Sequence, residues 1–178
     1  MARSRAKSGT FFLRLVDITE SAAFTSTSID ISSFVNVLDG ELLRIKQLWW
    51  NWGSDGGGPI RNADVGTNAG CNATASISTE TRTSTGSIGS SNDIVSVNNV
   101  YAHGDSNGKI DMITNETSVN PKDFDSDGYL VATDALHLNN SEGDAFANRI
   151  AVKCMMECDI VKLSLSDAQA VLVSQTVG

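Results

Sequence analysis

The sequence predicts an all-β fold: a single jelly-roll-like antiparallel sandwich of about eight strands, followed by a short C-terminal helix. Three observations carry this. Apolar and polar residues alternate with period two through most of the chain. Clusters of Gly, Asn, Asp and Ser interrupt that alternation at intervals of about 8 to 20 residues. The connections are also unequal in length, which suits a two-sheet sandwich better than an up-and-down barrel with its uniform hairpins.

In chain order the predicted strands are Thr10 to Thr19, Ala23 to Ile31, Glu41 to Trp52, Ala73 to Thr83 and Asp93 to Ala102. Lys109 to Thr114, Tyr129 to Leu138 and Ala147 to Leu163 complete the set. Gly53 to Asn72, containing GSDGGGP, and Thr85 to Asn92 read as exposed loops, because Gly, Asn and Ser supply turn conformations and few apolar anchors. The late strand shows its faces most clearly. Ile150, Val152, Cys154, Met156, Cys158 and Ile160 point one way, and Lys153, Glu157 and Asp159 the other. After it, Ser166 and Gln169 form a capping-box pattern, and Ala168, Val171, Leu172 and Gln175 share one helical stripe.

With 178 residues, 40% of them hydrophobic, the chain is one domain's worth. No apolar run approaches the roughly 20 residues of a membrane helix, and no export signal is visible. Ser, Thr and Asn number 22, 14 and 14, so uncharged polar side chains dominate the surface. Charge is unevenly placed. Arg3, Arg5, Lys7 and Arg14 precede the first acid, Asp17, so the remaining nine cations face 21 acids. Residues 1–9 therefore read as a flexible basic arm on an acidic body spanning 10–178. The arm can neutralise a few phosphates, whereas the body repels them.

Catalytic signatures do not emerge. There is no Gly-x-Ser-x-Gly elbow, Walker loop or dinucleotide fingerprint, and GGG at Gly56 to Gly58 runs into Pro59 rather than a helix. Cys154 and Cys158, four residues apart on a strand, stand roughly 13 Å apart, too far for one ion or a disulfide. They read as packed core thiols. Asp123, Asp125 and Asp127, closed by Gly128 with Asp134 in the twelfth position, have the spacing of the DxDxDG calcium loop in its first six residues. Calcium is the one cofactor this suggests, against a plain solvated turn. Trp49, Trp50 and Trp52 crowd one strand, with Trp50 and Trp52 on the side opposite Trp49; core packing, a subunit contact and a stacking platform for a sugar all use such residues.

A basic start followed by about eight strands resembles the small single jelly-roll capsid proteins of icosahedral viruses. The stretches that carry the resemblance are MARSRAKSG, SSFVNVLDGELLRIKQLWWNW, RIAVKCMMECDIVKL and SLSDAQAVLVSQ. It implies a non-enzymatic virion subunit, made in the host cytoplasm, that tiles with copies of itself around viral nucleic acid. Arg3, Arg5 and Lys7 become genome contacts, and the polar loops become the outer surface. A calcium-stabilised adhesive or carbohydrate-binding sandwich, and a virion spike or decoration protein, are the other readings of the same composition.

Overall fold

A computed structural model of the chain describes residues 5–19, 23–86, 91–116 and 127–176. The strands are β1 (Arg5–Ala6), β2 (Phe11–Ile18), β3 (Phe24–Asp30), β4 (Glu41–Ser54), β5 (Ala69–Ser78), β6 (Ile94–Gly104), β7 (Ile110–Glu116), β8 (Tyr129–Val131), β9 (Ala135–Asp144) and β10 (Ile150–Lys162). Two helices, α1 (Asn62–Val65) and α2 (Leu165–Thr176), and a 3-10 turn at Val37–Asp39 complete the described elements.

The strands form two antiparallel sheets. In the first, β10 pairs with β4 along one side and with β2 and then β1 along the other, and β8 lies beyond β4. The second runs β3-β9-β5-β6-β7. Setting aside β1 and β7, the first sheet has the order first, eighth, third, sixth in chain sequence, and the second has the order second, seventh, fourth, fifth. First pairing with last and second with next-to-last is the winding of a jelly roll. The predicted sandwich is thus the observed one, and the strand order is its new content.

Alternation places the core between the sheets. Leu13, Leu15, Leu43, Ile45, Val152, Cys154, Met156 and Cys158 of the first sheet meet Ala73, Ala75, Ile77, Val100, Leu136 and Leu138 of the second. Burial pushes the Cys158 thiol up to about 12 and the Cys71 thiol up to about 11, so both stay protonated and inert.

The predicted strand Tyr129 to Leu138 is in fact two, because the chain crosses from the first sheet to the second at Ala132 to Asp134. Val131 and Ala132 are both buried, which breaks the alternation. The bared backbone there is met from afar: the Gln175 side chain accepts from the Ala132 amide at 3.0 Å and donates to the Leu130 carbonyl at 2.6 Å. The helix also starts one cap earlier than its sequence pattern indicates. Ser164 Oγ accepts from the Asp167 amide at 3.2 Å and donates to its carboxylate at 2.7 Å, so Ser164 rather than Ser166 is the capping residue.

The loop Gly53 to Asn72 is shorter and better anchored than its composition implies. β4 runs on to Ser54, β5 begins at Ala69, and α1 lies between. The buried Asp64 carboxylate ties this segment down, accepting from the Arg61 amide at 2.8 Å and the Ser54 hydroxyl at 2.9 Å. Burial opposes its ionisation, but these bonds and Asn148 outweigh that and hold its carboxyl below the usual range. Gly40 is required by its neighbourhood: its φ is +73°, and a Cβ there would run into the Leu163 carbonyl.

Candidate functional site

The basic segment lies along the sheet. Arg5 and Ala6 pair with Lys162 and Val161 of β10, the Lys7 amide donates to the Ile160 carbonyl at 2.7 Å, and Ser8 Oγ accepts from the Ile160 amide at 2.9 Å. The Lys7 ammonium is paired with Glu41, whose carboxyl it holds below the usual range. From Arg5 onward the chain is therefore a continuation of the β2 edge. Arg3 lies outside the described residues.

The acidic motif is divided. Asp123 and Asp125 lie outside the described residues. Asp127 is exposed with φ +59°, and the Arg44 guanidinium feels its charge. Gly128 packs so closely on β4 that a Cβ would meet the Ile45 carbonyl oxygen at 2.5 Å and Arg44 Cγ at 2.9 Å, which gives the glycine a packing reason independent of any ion. Asp134 lies beyond β8, whose three residues alone extend the backbone by roughly 10 Å, and its carbonyl accepts from the Ile31 amide at 2.8 Å. It belongs to the crossing between sheets and does not close a loop with Asp127. Among the described residues no three His, Cys, Asp or Glu side chains are grouped to hold a metal.

The three tryptophans separate as their alternation indicates. Trp50 Nε1 donates to Ser96 Oγ at 3.0 Å and Trp52 Nε1 to Asn98 Oδ1 at 2.6 Å, so both indoles bridge the two sheets from inside. Trp49 is on the outer face, 36% exposed, with its ring 6.3 Å from that of Phe12, which is 60% exposed. The exposed aromatic pair on this sheet is therefore Trp49 with Phe12, not the three tryptophans together.

Sheet register assembles this outer face into rows. Phe12, Glu157 and Gln47 form one, Arg14, Met155 and Trp49 the next, and Val16, Lys153 and Asn51 the third. The bulge between Glu157 and Cys158 lets Lys46 reach across to Glu157 at 3.0 Å. Nothing in β2 alone signals this surface, since its members come from three strands brought together by the fold.

A second exposed apolar surface lies on β7. Its Ile113, 68% exposed, pairs with exposed Tyr101, and Met112, also exposed, pairs with Ala102. Leu38, on the 3-10 turn beside α2, is an exposed apolar residue apart from these two surfaces, 80% exposed. A polar cleft of about 460 Å³ lies beside Asp64, walled by Asp55, Arg61, Asn148 and Arg149. Its cations are engaged, Arg149 with Asp55 at 2.8 Å and Arg61 with Asp64 at 4.0 Å.

No protein-family model matches this chain, and no curated protein is significantly similar to it.

Proposed function

We propose that this chain is a structural subunit that assembles with copies of itself into a closed shell around nucleic acid, in the manner of a viral capsid protein. The observation that carries the reading is β7. It is the edge strand of the second sheet, and it exposes apolar side chains on both of its faces, Met112 on one and Ile113 on the other. Apolar side chains exposed on both faces of an edge strand are a template for association, here interrupted by Asp111 and Glu116 of the same strand.

The turn at Leu38 offers a second contact away from that edge. Two unlike patches on one rigid body favour head-to-tail contacts, which close into rings or shells when the rotation permits. The acidic balance of −8 adds repulsion between copies, so assembly strengthens with salt. Localisation in a virion and manufacture in a host cytoplasm follow from the same reading.

Light scattering coupled to size-exclusion chromatography, followed by negative-stain microscopy, tests it. Megadalton particles support a shell, and Ile113→Lys with Met112→Lys should disperse them. A monomer at high concentration overturns the reading, and a stable trimer replaces it with a spike or decoration role.

A further inference from the structure

Three rows of the outer face of the first sheet hold cations without an acid partner among the described residues, in a molecule that is acidic overall. Ten cations have described side chains, and seven of them are ion-paired: Lys7, Arg44, Lys46, Arg61, Arg82, Arg149 and Lys162. Among the described residues, only Arg14, Lys109 and Lys153 make no ion pair. In a chain where acids outnumber bases 21 to 13, a cation left unpaired is the exception. Two of these three lie on the same face, in adjacent rows, and the one acid in those three rows, Glu157, is already engaged by Lys46.

Aromatic rings are interleaved with those cations. Phe12 and Trp49 lean towards each other over β10, and Arg14 and Trp49 flank Met155 in a single row. Free cations among exposed rings match a single-stranded nucleic acid, whose phosphates need positive charge and whose unpaired bases stack on aromatic faces. A duplex would satisfy the cations and leave the rings unused. The basic N-terminal segment continues along the edge of this same sheet, through β1 and Lys7.

We propose that the outer face of the β2-β10-β4 sheet, through Arg14, Lys153, Phe12 and Trp49, is a binding surface for single-stranded nucleic acid. The inference deepens the shell reading and takes from it only that the cargo is nucleic acid. It assigns this face to the inside of the shell and leaves β7 and the Leu38 turn for contacts between subunits. The competing occupant is a second copy of the chain.

Fluorescence anisotropy of a labelled oligo-dT, read at low and at physiological salt with the purified chain, provides the test. Arg14→Gln with Lys153→Gln should weaken binding and reduce the slope of log K against log salt by about 1.4, at about 0.7 for each phosphate no longer neutralised. Trp49→Ala should weaken binding about 10-fold at either salt concentration, whereas Trp49→Phe, which keeps a ring, should stay within about 3-fold of the native chain. All four side chains are at least partly exposed, and an unchanged thermal midpoint verifies that each variant is folded.

Oligo-dT that fails to bind, or that binds native chain and variants alike, overturns the inference. So does a set of variants that lose particles or dimers while binding oligo-dT unchanged, which would give the face to a second copy. Particle formation by the native chain is scored separately. Particles without oligo binding refute this inference alone, and a monomer that binds oligo-dT through these residues refutes the shell alone.

Discussion

The two faces of the first sheet use the same residue types to opposite ends. On the inner face, Trp52 is buried and Trp50 half-buried, and both have found acceptors, Asn98 and Ser96, on the facing sheet. One strand position away, Trp49 has no such acceptor among the described residues and rests against Phe12, partly open to solvent. Charge divides within the outer side itself. Arg44 and Asp159, opposite one another on β4 and β10, are buried in a two-pronged pair, with Nε to Oδ1 at 2.8 Å and Nη2 to Oδ2 at 2.5 Å, whereas Arg14 and Lys153 make no ion pair among the described residues. The difference teaches that an indole or a guanidinium reads as structure when its polar atoms are met inside the fold. It reads as a contact when they are left for something outside.

Breaking the inner face should have the largest effect. Trp52→Ala removes a buried ring and orphans Asn98, and should cost about 4 kcal/mol in urea unfolding, against less than about 1 kcal/mol for Trp49→Ala. Equal losses would erase the distinction. Next comes the buried pair: Asp159→Ala takes both carboxylate bonds from the buried Arg44 guanidinium and should cost about 3 kcal/mol, while Arg44→Met combined with Asp159→Leu should lie much closer to the native stability. A double variant as damaged as the single would show that the ion pair itself is needed.

Gln175→Ala leaves the Ala132 amide unmet and should cost about 1 to 3 kcal/mol by the same assay. Asn140 runs the other way. It is wholly buried on β9, and neither of its side-chain polar atoms has a partner among the described residues, so Asn140→Leu should raise stability by about 1 kcal/mol. The smallest effect is in acid. Asp64 has a folded pKa below its unfolded value of about 3.9, so its contribution is present above that pH and is lost as pH falls through the folded pKa. Asp64→Asn should flatten that acid limb of stability against pH, and a limb of unchanged steepness would show that Asp64 does not contribute to it.

Much of the fold was legible locally. Period-two runs located β2, β3, β4, β6, β7 and β10, because a half-buried strand writes its two faces into alternate residues. The strand at Tyr129 to Leu138 misled, since the crossing at Ala132 keeps apolar character while changing sheets, and its hydrogen-bond partner Gln175 is 43 residues away. β1 was illegible because two residues carry no period. Of the candidate sites, the alternation that set Trp49 apart from Trp50 and Trp52 held, whereas Asp134 proved to belong to the corner between sheets. The face carrying Arg14, Lys153, Phe12 and Trp49 was legible only as fragments, with the tryptophan run noticed, Arg14 counted among the early cations and Lys153 placed on the side of its strand away from the core.

By itself the sequence determined the class of structure, a strand-rich acidic sandwich with a basic start and a terminal helix. Alternation, turn residues and charge are properties of neighbours along the chain, and they are readable there. Only the tertiary structure decided which strands lie side by side, and hence that cations from β2 and β10 share a surface with a tryptophan from β4. Pairing of that kind is long-range: β10 meets β2 across more than a hundred residues, and which strands and residues come to face one another is settled by burying both sheets at once.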